Sequence, residues 1–140
     1  MNTFFATTAV IEAGAGLALL CAPSAAASLL LATPLEAPAA FTVARVGGAG
    51  LLTLGVACWR ARGDTQSPAA RGLLTAMVVY NLVVALILGA TGVRSRSVGI
   101  VLWPAVVLHA GMTVWCVLSL ISWDERRTLG SDQLPFTSRS

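Results

Sequence analysis

Two stretches of this chain, 72–93 and 97–123, contain no Asp, Glu, Lys or Arg. Each exceeds the ~20 residues that an α-helix needs to cross ~30 Å of hydrocarbon. A segment that long with no charged face has little to offer water, and inside a bilayer only a helix or a closed barrel satisfies its backbone. Composition points the same way: 56% of the chain is hydrophobic and 11% is charged, against roughly 25% charged in a soluble domain.

Two more apolar segments complete the pattern, so the expected spans are 3–22, 39–59, 72–92 and 98–121. The resulting expectation is an all-α integral membrane four-helix bundle, one domain over 1–128, with a disordered cytoplasmic tail over 129–140. Pro23 cannot continue the first helix and Ser24 is a good N-cap, so a short helix over 25–32 is expected to follow and to lie along the periplasmic interface. The segment 33–38, with Pro34 and Pro38, reads as a turn. The polar run 60–71 reads as a water-exposed loop, and 93–97 as a tight charged connection.

All nine basic residues are arginine. With heavy Ala and Gly usage, this is what GC-rich coding produces, and it suggests a bacterial source. Arg60, Arg62, Arg71, Arg126, Arg127 and Arg139 fall on one side of the expected spans, and only Arg94 and Arg96 on the other. The positive-inside rule then puts both termini in the cytoplasm of a cell with this protein in its inner membrane. Trp59 and Trp123 fall at the same cytoplasmic boundary, where indole rings are favoured. A cleaved signal peptide over 1–27 is the competing reading. Against it stand the missing basic residues at the start and Glu12 in the would-be apolar region.

Four strongly polar side chains remain at membrane depth, one per span: Glu12, Arg45, Asn81 and His109. Counted from the periplasmic ends, Glu12, Asn81 and His109 lie ten to twelve residues in, ~15–18 Å deep and near the midplane. Arg45 is shallower, at about six residues; its long stem reaches either a midplane partner or the headgroups. Pairing with Glu12 is the more economical expectation if the carboxyl is ionised. A lone charge at the bilayer centre costs at least ~2.5–3.5 kcal/mol, so Glu12 is expected to face the bundle interior.

Small residues flank these groups at helical spacing: Gly16 after Glu12, Gly48 and Ala49 after Arg45, Ala85 and Gly89 after Asn81. In the fourth span Ala105, His109, Thr113 and Cys116 share a stripe, and Pro104 is expected to free the carbonyl of Ile100. Tyr80, Trp103 and Thr113 are secondary candidates. Interhelical hydrogen bonds of ~0.6 kcal/mol that merely fix helix pairing are the plain alternative for the whole set. Cys21, Cys58 and Cys116 have neither C-x-x-C nor zinc spacing and are expected to be buried small apolar residues.

In overall plan the chain resembles small bacterial membrane proteins of the DoxX-like kind. The likeness lies in four helices, a periplasmic loop containing Pro, and an R-x-x-G stretch in the second span, here Arg45-Val46-Gly47-Gly48. It implies architecture, and no activity or site residue comes with it.

Three functional classes stay open. A non-enzymatic bundle would receive the head of a lipophilic small molecule, or a group from a membrane partner subunit, at Glu12, Arg45, Asn81 and His109. A proton-coupled exporter would use Glu12, similar to the small multidrug resistance transporters in that carboxylate and the helix count alone. A membrane enzyme would use His109, but a bis-histidine haem needs two histidines and the chain has one. No cofactor or metal is named by the residues. The expected partners are the lipid bilayer, a lipophilic ligand, and a membrane subunit or second copy of the chain; nucleic acid is not expected, because the arginines sit at helix ends.

Overall fold

The computed structural model describes residues 2–64 and 66–131, with side chains as far as Trp123. These residues form five helices: α1 (Asn2–Cys21), α2 (Pro23–Leu31), α3 (Pro38–Ala61), α4 (Pro68–Arg94) and α5 (Leu102–Ser131). Four of them, α1, α3, α4 and the Leu102–Trp123 part of α5, are long and apolar enough to cross a membrane. Of the tail expected to be disordered, 129–131 belong to α5 and 132–140 lie outside the described residues.

Proline sets three of the starts. Pro23, Pro38 and Pro68 each sit in a first helical turn, where an absent N–H costs nothing and the fixed φ is already helical. The expected loop 60–71 is therefore shorter, because α3 runs on to Ala61 and α4 begins at Pro68. Ser67 caps α4 by accepting from Ala70 N–H at 3.1 Å. Ser67→Ala should cost about 1 kcal/mol, read as a lower thermal midpoint in detergent with cavity geometry unchanged.

The helices pack as two antiparallel pairs, α1 on α3 and α4 on α5, with few contacts from one pair to the other. Glycine sets the first pair. A Cβ on Gly16 would lie 2.7 Å from the Gly48 carbonyl oxygen, and one on Gly55 2.9 Å from Ala13 N, so the backbones touch and no side chain fits between them. This register also explains the fate of Arg45. With Gly16 beside Gly48 and Ala13 beside Gly55, Glu12 is level with roughly residue 55, about ten residues or ~15 Å below Arg45.

The two pairs join at one end through Phe4, Phe5, Leu74, Met77, Met112, Cys58 and Cys116, all buried. Phe4 meets Phe5 and Trp115 edge to face, at centroid distances of 5.5 and 5.3 Å. Cys58 and Cys116 are buried as expected, whereas Cys21, expected to be buried, is exposed at the last residue of α1. At this same end Arg62 lies over the Trp59 ring at 3.7 Å and Arg71 over Trp123 at 4.8 Å, so one indole pairs with an arginine at the end of α3 and the other with one in the first turns of α4.

At the other end α2 bridges α1, α3 and α5. Ser24 is not its N-cap; Ala22 holds that position, and the Ser24 hydroxyl instead accepts from Leu35 N–H at 3.1 Å. The expected fourth span also starts later than residue 98. Residues 95–101 are not helical, and the N–H groups of Gly99 and Val101 donate to the Leu30 and Leu29 carbonyls at 3.1 and 3.0 Å. These two bonds satisfy carbonyls that the end of α2 would otherwise leave open. With α5 starting at Leu102, Pro104 lies in its first turn and interrupts no helical hydrogen bond.

Candidate functional site

Where the joined end gives way to the open end, polar side chains from three helices meet. Glu12 on α1 is 3% exposed and accepts a hydrogen bond from the Tyr80 hydroxyl of α4 at 3.3 Å. The Tyr80 ring meets His109 of α5 edge to face, at 5.8 Å between centroids. His109 Nδ1 lies 2.7 Å from Asn81 Oδ1, and Asn81 Nδ2 donates to the Met77 carbonyl at 2.9 Å. One run of polar contacts and ring edges therefore links Glu12, Tyr80, His109 and Asn81 across the gap between the helix pairs.

The sequence pattern accounts for much of this placement. Tyr80 and Asn81 are adjacent, so they point about 100° apart around α4; one turns to α1 and the other to α5. In α5 the stripe faces inward as its spacing implied: Ala105 and His109 line the space between the pairs, Cys116 is buried, and the Thr113 hydroxyl donates to the His109 carbonyl at 2.9 Å.

Arg45 stands apart. It is exposed, and no ion pair joins it to Glu12 among the described residues. Tyr80 takes the place that an arginine partner was expected to fill. Trp103 is also on the outside, with its ring edge against Gly92. Thr8, one turn before Glu12, is fully buried, and its Oγ1 has no hydrogen-bond partner. A threonine in an apolar helix carries no signal that sets it apart from its neighbours.

Above the polar group lies a cavity of about 520 Å³, within the ~300–1,000 Å³ usual for small-molecule sites. Glu12, Tyr80 and His109 are its polar lining residues, and all five helices contribute to its otherwise apolar wall. α2 contributes Pro23, Ala27 and Leu30, a role that its short apolar run did not reveal. Among the described residues no group of three or more His, Cys, Asp or Glu could hold a metal ion.

Compared with known protein families, curated proteins and solved structures, the chain matches none.

Proposed function

We propose that this chain is a multi-pass protein of a bacterial inner membrane, with both termini in the cytoplasm, which binds a lipophilic small molecule between its helix pairs without catalysing a reaction on it. The observation that carries this reading is the cavity itself: apolar over most of its wall, with Glu12, Tyr80 and His109 gathered at one place. Such a shape suits an apolar body with one polar head, because burying the body is favourable and the head finds hydrogen bonds in place of water.

The outer surface fits a lipid surrounding. Val10, Val43, Val46, Leu86, Val107 and Val114 are among many large apolar residues that face away from the protein, and in hydrocarbon they lose nothing by doing so. Arg45 belongs to this outer surface, where its stem can carry the guanidinium toward periplasmic headgroups. α2 then lies near the periplasmic interface as cover for the cavity.

The test is photolabelling of the protein in lipid nanodiscs with a diazirine-bearing dodecanol, followed by peptide mass spectrometry. Labelling should concentrate on cavity residues such as Leu30 and Leu108. Ala105→Trp, which fills the cavity, should reduce it on the order of tenfold, whereas Arg45→Gln should leave it within about twofold. Labelling spread evenly over outward residues such as Leu86 and Val107, or unchanged by Ala105→Trp, would overturn the reading.

A further inference from the structure

Among the polar residues that line the cavity, His109 is the one whose hydrogen-bonding state its neighbours determine. Asn81 is 1% exposed, and its Nδ2 donates to a backbone carbonyl, the Met77 oxygen, at 2.9 Å. That contact identifies which end of the amide is nitrogen, so the atom turned toward His109 is Oδ1, an acceptor. A ring nitrogen 2.7 Å from that oxygen must carry the hydrogen and donate it. In the neutral imidazole Nδ1 is thus the protonated nitrogen, and Nε2 is left with a lone pair and no hydrogen.

The neighbouring groups have the same bias. Tyr80 spends its only hydroxyl hydrogen on Glu12, so its oxygen too is left as an acceptor. Of the polar residues that line the cavity, His109 and Tyr80 thus each keep a lone pair, on Nε2 and Oη, beside the carboxyl of Glu12. We infer that the ligand is a hydroxyl-headed lipophile, an aliphatic alcohol whose O–H donates to His109 Nε2. This rests on the cavity being a lipophile site.

A hydroxyl suits the place whichever form Glu12 adopts. Its hydrogen satisfies Nε2, and its oxygen can accept if the carboxyl carries a proton. An ether, ester or ketone head of the same size has no hydrogen to give and would leave Nε2 unpaired against an apolar wall. An ammonium head could donate, but it would have to leave water as a charge.

Two readouts on the unaltered protein in nanodiscs test the inference. In the first, unlabelled competitors displace the diazirine-bearing dodecanol: dodecanol should do so at roughly tenfold lower concentration than dodecyl methyl ether, the selectivity of about one buried hydrogen bond. In the second, ¹⁵N NMR is recorded with labelled histidine, which reports a single residue because the chain has 1 His. The ligand-free ring should have an unprotonated Nε2, whose resonance moves upfield with dodecanol and stays in place with the ether. Equal displacement by alcohol and ether, with labelling still confined to the cavity, overturns the hydroxyl inference and leaves the cavity reading standing. Tighter competition by dodecylamine, or a ring protonated at Nε2, overturns the inference as well. Labelling that no competitor displaces removes both readings.

Discussion

Gly16→Leu is expected to separate α1 from α3 and to abolish the folded protein, while Gly14→Leu in the same helix leaves it intact. The two glycines are two residues apart and differ in what surrounds them. A Cβ on Gly16 would meet the Gly48 oxygen and Leu52 N, each at 2.7 Å, whereas one on Gly14 would have nothing within 4 Å. The obstructing atoms are backbone, so no rotamer change relieves the contact. Overpacking ordinarily costs about 1–3 kcal/mol, and here a whole helix pair must move apart, so the loss should lie at or above the top of that range. Thermal unfolding in mild detergent, followed by the circular dichroism of both variants, measures it. A Gly16→Leu midpoint equal to that of Gly14→Leu would mean that the α1–α3 contact is not what holds the pair together.

Gly99→Val should release the cover of the cavity with the four long helices still packed. A Cβ at residue 99 would run into the Leu29 carbonyl, the same carbonyl that accepts from Val101 N–H. The segment must lift, and both hydrogen bonds to the end of α2 go with it. At about 1 kcal/mol each, their loss should speed hydrogen exchange in α2 roughly 30-fold. Exchange mass spectrometry in nanodiscs reads this directly, with Gly111→Val as the control because its Cβ would have nothing within 4 Å. The displacement should also weaken retention of a cavity ligand, since Ala27 and Leu30 belong to the wall. Unchanged α2 exchange in Gly99→Val would show that the cover is held by its own packing, through buried Pro23 and Ala27.

The two glycine sites differ in how far the local sequence marks them. Gly16 and Gly48 stood out as small residues one turn from polar groups, and their closeness follows a general habit of helices in lipid. Gly99 gave no such sign. It lies in a connection whose importance comes from α2, some seventy residues earlier in the chain, and no local pattern links the two. The same holds for the polar centre. Glu12, Asn81 and His109 are each costly at membrane depth by residue type alone, yet the partner that spacing favours for an ionised Glu12 is Arg45 and the observed one is Tyr80. Equal counting from the span ends placed Arg45 only a few residues above Glu12. In the fold α3 extends past the end of α1, because Gly16 and Gly55 set the register by contact and not by matching ends.

By itself, then, the sequence determined that there are four long apolar helices, roughly where each begins and ends, and which side chains are too polar to face hydrocarbon. Those properties follow from local composition and from the spacing of single residues along a helix, which need no knowledge of the other helices. Which polar groups meet, how the pairs separate to leave a cavity, and how α2 closes it were decided only in the tertiary structure. Each depends on register and rotation between helices, and these are set by backbone contacts at a few glycines and by two hydrogen bonds between distant segments, interactions whose partners the chain brings together only when it folds.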